Sequence, residues 1–325
     1  MPARRGYSRG VTQDPNQHNV HQDPDRDTSP SNATRAAARV ALVTCAELPD
    51  LDEDDRSLIP ALAALGIPAE PVAWDAAGVD WAAYDLAVVR NTWDYAKRRA
   101  EFTAWARSVP NLANPAAVIE WNTDKRYLRE LAAAGLPIVP TTWVEPGDAF
   151  VPEGTGEIVV KPAVSAGSID TGRYDLATQA PLVAKEVRRL QDAGRLVMIQ
   201  PYLDAVDTAG ETALLYFAGE FSHAIRKGAI LTGPYVEGSQ LYQHEEISPR
   251  TPSAQEHALA ARVLEALPVP AADLLYTRVD LLPSPDGPVV IEVELAEPSL
   301  FFGYAPGSAD RFAAAVQRRL GRSDG

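Results

Sequence analysis

The chain has 325 residues, with 30 Lys and Arg against 44 Asp and Glu, and a net charge of −14. So acidic a chain is a poor partner for nucleic acid, whose phosphates need clustered Lys and Arg. The single cysteine, Cys45, excludes a disulfide framework and a cysteine-based zinc site, and no apolar run approaches the ~18 residues that span a bilayer.

These traits fit a protein of a reducing, aqueous compartment, the bacterial cytoplasm, without a membrane or nucleic-acid partner, and leave a homo-oligomer open. Residues 1–37 read as a disordered tail, since Gln13–Asn32 is almost wholly polar. From Arg39 the chain alternates strands and helices. Val40–Thr44 reads as a strand, Asp54–Leu65 as a helix that Pro60 bends or delays, and Pro71–Trp74 and Leu86–Arg90 as strands. This β-α-β order predicts a parallel sheet. Arg90-Asn91-Thr92-Trp93-Asp94-Tyr95 then lies at its carboxyl edge, where open sheets bind ligands, or forms a simple capped turn.

Asn122–Ala134 reads as a helix with Asn122 or Thr123 as its N-cap, which puts Lys125 in its first turn. Glu157–Lys161 is a strand, and the small residues after it, including Ser165, Gly167 and Ser168, let backbone N–H groups approach phosphates. Lysine is scarce here, and Lys125 and Lys161 read either as phosphate ligands or as surface charges. The spacing predicts a helix over Leu182–Ala193 and a strand over Leu196–Gln200. Met198–Leu203 then reads as an adenine slot or as a buried strand running into a loop. Ala213–Ala218 and Phe221–Ile225 form a hairpin around Gly219-Glu220, Ala254–Leu267 is a helix, and the last helix covers Ala309–Leu320.

The sharpest local signal is the hairpin Tyr276–Leu282 and Val289–Glu294. Centred on Asp286, it sets Asp280 opposite Glu292, Arg278 opposite Glu294 and Leu281 opposite Ile291. Alternation collects Arg278, Asp280, Glu292 and Glu294 on one face. Facing carboxylates repel. A hard divalent ion resolves the repulsion, as does a solvated, charge-decorated face.

In order, Asp124-Lys125, Val160-Lys161-Pro162, Gln200-Pro201-Tyr202-Leu203, Gly210-Glu211, Arg226-Lys227-Gly228, Arg278-Val279-Asp280 and Glu292-Val293-Glu294 resemble the ATP-grasp superfamily. Val89–Tyr95, Trp121–Lys125 and Glu294–Phe301 are similar to the bacterial group containing O-ureido-D-serine cyclo-ligase, and more distantly to glutathione synthetase. The resemblance implies an α/β (α+β) fold in three parts: a parallel-sheet domain over 38–113, a central lid domain over 114–200 and a mixed-sheet C-terminal domain over 201–325. It implies an ADP-forming carboxylate–amine ligase that acts through an acylphosphate on a small amino-acid-like substrate, with ATP and Mg²⁺ or Mn²⁺. The rival readings are a small-molecule kinase and a non-catalytic nucleotide-binding module. The resemblance further implies that Lys125 and Lys161 hold phosphates beneath the Ser165–Ser168 loop, with Gln200, Tyr202 and Leu203 bordering adenine. Asp204 or Glu211 reaches the ribose. Asp280, Glu292 and Glu294 hold metal, Arg226 and Arg278 stabilise the acylphosphate, and Arg90, Trp93, Asp94 and Tyr95 bind substrate. Many members carry Glu-x-Asn where this chain has Glu292-Val293-Glu294, which adds a negative charge beside the triphosphate.

Overall fold

The computed structural model describes residues 38–236 and 246–322; the expected tail lies outside them. The first sheet is parallel, with β1 (Val40–Thr44) between β2 (Ala69–Ala73) and β3 (Leu86–Asn91). Its central strand is wholly buried, as its unbroken apolar run requires. The helix expected over Asp54–Leu65 is a short 3-10 turn at Asp55–Ser57 followed by α1 (Leu58–Ala64). Pro60 sits in the first turn of α1, where no intrahelical N–H is needed, so it marks a start rather than a bend. Helix α2 (Arg99–Ser108) follows.

Helices α3 (Ala116–Asn122) and α4 (Tyr127–Ala133) lead to a four-stranded antiparallel sheet. Its strands are β4 (Thr142–Val144), β5 (Glu157–Pro162), β6 (Gly172–Asp175) and β7 (Val197–Pro201), in the order β4-β7-β5-β6. Helix α5 (Leu176–Asp192) packs Val183, Val187 and Leu190 against Ile158, Val160 and Val197. It begins before the expected Leu182 because Asp175 caps it, accepting from Ala177 N–H at 3.0 Å.

After α6 (Val206–Ala209) comes a five-stranded antiparallel sheet, with β8 (Glu211–Phe217), β9 (Glu220–Lys227), β10 (Ile247–Pro249), β11 (Tyr276–Leu282) and β12 (Val289–Glu294). The order is β10-β9-β8-β11-β12. The β8–β9 hairpin turns on Ala218 and Gly219 at φ 50° and 80°, the left-handed pair that a two-residue hairpin prefers. Gly210, at φ 72°, precedes β8 at a place where a Cβ would meet Lys227 O at 2.6 Å. Helix α7 (Ala254–Glu265) has a Ser253/Glu256 capping box. Helix α8 (Ser308–Arg322) closes the chain, with Phe312 and Val316 packed among Leu42, Leu58 and Phe217. No described helix is long and apolar enough to cross a membrane.

His223 on β9 lies between Ser222 Oγ and Leu300 O, each at 2.9 Å. Burial pushes its imidazole down to about 4 from an ordinary 6.5. A depressed histidine stabilises the fold above its unfolded pKa and loses that contribution as pH falls. Stability should therefore drop between about pH 6.5 and 4, by on the order of 3 kcal/mol. Urea unfolding across this range should show a steeper acid slope for the wild type than for His223→Gln.

Candidate active site

One cleft of about 1220 Å³ opens between the two antiparallel sheets and reaches the loop after β12. Alternation along β5 builds one wall. Ile158 and Val160 go to the core under α5, which leaves Val159 and Lys161 on the cleft. The opposite wall is the β11–β12 hairpin. Its register matches the sequence prediction at Arg278/Glu294 and Asp280/Glu292, then slips, so that Leu281 faces Val290 rather than Ile291. The extra residue Ile291 is a bulge. Ile291 and Glu292 both reach the cleft, as does Glu294, while Val290 and Val293 stay in the core.

Lys125 does not lie in a helix. The expected Asn122–Ala134 helix breaks between α3 and α4 because Asn122 is committed elsewhere. Its Oδ1 accepts from Leu295 N–H at 2.7 Å and its Nδ2 donates to Val293 O at 2.7 Å, which ties α3 to the end of β12. In the break, Lys125 N–H donates to Ala163 O at 2.9 Å, its Nζ donates to Ser165 O at 3.0 Å, and Nζ pairs with Glu292 Oε1 at 2.9 Å. Burial pushes the Glu292 carboxyl up, but Lys125 and Lys161 outweigh it and hold it below the ordinary range. Among the described residues Lys161 makes no ion pair, although it is 9% exposed. Burial, with Lys125 and Lys227 adding to it, lowers its ammonium to about 8. A buried ammonium facing open space, without a carboxylate of its own, is suited to an incoming anion.

Arg278 is the hub of the floor. Its Nη2 meets Asp280 Oδ2 at 2.7 Å and also pairs with Glu294, and its Nη1 donates to Ser299 O at 3.1 Å. Lys227 pairs with Asp280 at 3.1 Å and with Glu211. Burial pushes the Glu294 carboxyl up to about 8, with Glu292 and Asp280 adding to the rise against Arg278. The acidic group is thus short of positive charge.

Lys125, Lys161, Ser165, Gly167, Ser168, Gln200, Tyr202, Leu203, Glu211, Arg278, Glu292, Glu294 and Trp93 line the cleft. Six predicted residues do not. Asp280 is 1% exposed, drawn beneath the floor by Arg278 and Lys227. Arg226 turns away and donates to Ala209 O at 3.0 Å and Thr208 O at 3.3 Å; its neighbour Lys227 takes the cleft position. Asp204 is exposed off the cleft. Arg90 is enclosed, with Nε on Asp55 at 3.1 Å and Nη2 on Pro298 O at 2.5 Å. Asp94 accepts from Trp74 Nε1 at 3.0 Å, and Tyr95 is buried behind Glu297. Lys227 and Glu297 are among the cleft residues that sequence reasoning missed. Scarcity was the signal for Lys227: the chain has five lysines, and three of them line the cleft.

Among the described residues no three His, Cys, Asp or Glu side chains close around a metal ion on their own. The donor set still fits a hard cation. Magnesium takes one or two carboxylates and completes its shell with water and phosphate, and Glu292 and Glu294 are two crowded carboxylates on the cleft surface.

A family model described as the N-terminal domain of D-cycloserine synthetase DcsG matches residues 40–116. The chain is 39% identical over 299 residues to cycloserine biosynthesis protein DcsG of Streptomyces lavendulae, covering 86% of this chain and 98% of that protein. It belongs to the DcsG family of ATP-grasp ligases. The crystal structure of D-cycloserine synthetase DcsG superposes with a TM-score of 0.77 at 37% identity, over 87% of this chain and 100% of that one. The ATP-grasp fold itself extends to a RimK domain protein from Sphaerobacter thermophilus, with a TM-score of 0.61 at 21% identity over 86% and 99% of the two chains. It also extends to D-alanine–D-alanine ligase from Bacillus anthracis, with a TM-score of 0.60 at 14% identity over 88% and 98%. The chain is accordingly an ATP-grasp ligase of the DcsG family.

Proposed function

We propose that this DcsG-family ligase phosphorylates the carboxylate of O-ureido-D-serine, or of a close amino-acid relative, and closes a ring when a nitrogen of the same molecule attacks the acylphosphate. The observation that carries the reading is the convergence of Lys125, Lys161 and Arg278 with Glu292 and Glu294 on one cleft. With Lys227, four cations stand against a row of carboxylates in a partly dry site, which suits a triphosphate with its metal. Phosphoryl transfer rests on positioning and charge stabilisation rather than on covalent participation by the protein.

In this reading the parts over 38–113, 114–200 and 201–325 act as substrate, lid and nucleotide portions. Lys125 and Lys161 hold the phosphates, and the Ser165–Ser168 loop covers them and excludes water. Gln200, Tyr202 and Leu203 border adenine, and Glu211 takes the ribose. Glu292 and Glu294 hold Mg²⁺ or Mn²⁺, which supplies Lewis-acid charge neutralisation when bound. Arg278 stabilises the charge that develops on the acylphosphate. The substrate is small and amino-acid-like, and the enzyme works in the cytoplasm.

Hydroxylamine added with ATP, Mg²⁺ and O-ureido-D-serine should yield a hydroxamate together with ADP. ADP without hydroxamate would favour a kinase, and no magnesium-dependent ADP at all would favour a binding module. Lys161→Ala should weaken ATP binding by about 10- to 100-fold, the loss of a charge-assisted contact. Calorimetric titration checks this, and an unchanged affinity removes Lys161 from the phosphate site. In the wild type the same affinity should decline as pH rises through about 8, where the Lys161 ammonium loses its proton.

A further inference from the structure

Glu297 is a buried carboxylate on the cleft that the ligase chemistry above leaves unused. It is 8% exposed, lines the cleft and makes no ion pair among the described residues. Three neighbours fix its place. Its own carbonyl accepts from Trp93 Nε1 at 3.1 Å. The next carbonyl, of Pro298, accepts from Arg90, which is locked to Asp55 and stacked 5.3 Å over the Tyr276 ring. The buried Tyr95 lies close enough to its carboxylate to influence its titration. Side chains expected to touch substrate thus form a rigid mount for Glu297. A buried carboxylate held this firmly without a counter-ion is costly for the fold, and a cost kept at a cleft wall is the mark of a working group.

The geometry points to Glu297 as the general base of the second half-reaction, held by the Trp93, Tyr95 and Arg90–Asp55 mount. This rests on the ligase reading above. The attacking nitrogen forms its bond to the acyl carbon, the carbon–oxygen bond to phosphate breaks, and the electron pair leaves with phosphate. The nitrogen's proton passes to the Glu297 carboxylate and then to solvent or the departing phosphate. Burial pushes this carboxyl up to about 7, with Glu292 adding to the rise and Tyr95, Lys125 and Arg278 opposing it. Glu294 is the other titratable group of the neighbouring strand end. A base poised near neutral pH is the most effective one.

The test compares wild type, Glu297→Gln and Glu297→Asp with O-ureido-D-serine as substrate. Ring formation and hydroxamate formation are both measured from pH 5.5 to 9. Hydroxylamine is a strong nucleophile that needs little help from a base, so it reports the first half-reaction. Glu297→Gln should lower kcat for ring formation by about 10²- to 10⁴-fold and abolish its acid limb near pH 7. Hydroxamate formation should stay within about threefold of the wild type, and Glu297→Asp should restore part of the rate with the limb. Ring formation at the wild-type rate in Glu297→Gln overturns the assignment, as does a parallel loss of both reactions. A wild type that forms no hydroxamate overturns the ligase reading instead.

Discussion

Glu292→Gln should lower ATP-dependent ADP formation by about 10³-fold, the scale of losing a group that organises transition-state charge. Glu292 shares the cleft face of β12 with Glu294 by strand alternation, and it is the one acidic ion-pair partner of buried Lys125 among the described residues. The glutamine keeps the shape and removes the charge. On the proposed reading a metal ligand is lost, and Lys125 no longer has its counter-ion. Steady-state ADP release across a magnesium titration checks this. The variant should need more metal as well as turn over more slowly, while its far-ultraviolet circular dichroism stays that of the wild type. Turnover within a few-fold of the wild type at the same magnesium concentration would remove Glu292 from the metal site.

Arg278→Met should act on stability and rate together. Its guanidinium spans Asp280 and Glu294 and is itself buried. Burial works against the cation, but Asp280 and Glu294 outweigh it and raise its pKa. Removing it strands Asp280 with Lys227 alone, and breaking a buried ion pair in this way costs about 3–5 kcal/mol. The rate should fall by about 10²- to 10³-fold, since on the proposed reading the same group stabilises the developing acylphosphate. Arg278→Lys should recover stability better than rate, because an ammonium lacks the planar fork that reaches two carboxylates at once. Urea unfolding and ADP release, measured on the same preparations, separate the two effects. A Met variant as stable as the wild type would contradict the pairing described here.

Much of this was written in local pattern. The β11–β12 hairpin announces itself by alternation around a Pro-Asp-Gly turn, and its pairing at Arg278 and Asp280 follows by counting. The parallel sheet follows from three short apolar runs separated by a helix and turns. Long-range commitments were less accessible. Nothing near Asn122 indicates that its amide is held by the backbone of residues 293–296, so the helix break that frees Lys125 was not visible. Arg90 appears in a loop motif as a substrate ligand, yet its partners are Asp55 and Pro298, far away in the chain. The bulge at Ile291 has no glycine to mark it. Strands β4, β6 and β10 have only three or four residues each, too few for alternation to register. The depth of Asp280 was not legible for a related reason. Facing Glu292 in the ladder does not tell which carboxylate stays at the surface once Arg278 and Lys227 close on one of them.

The most direct measurement follows oxygen. O-ureido-D-serine labelled with ¹⁸O in both carboxylate positions is turned over with ATP and Mg²⁺, and the released inorganic phosphate is analysed by mass spectrometry. Passage through an acylphosphate predicts that each phosphate carries one ¹⁸O taken from the substrate. Ring product formed together with unlabelled phosphate would contradict activation of that carboxylate, and with it the role given to the cleft.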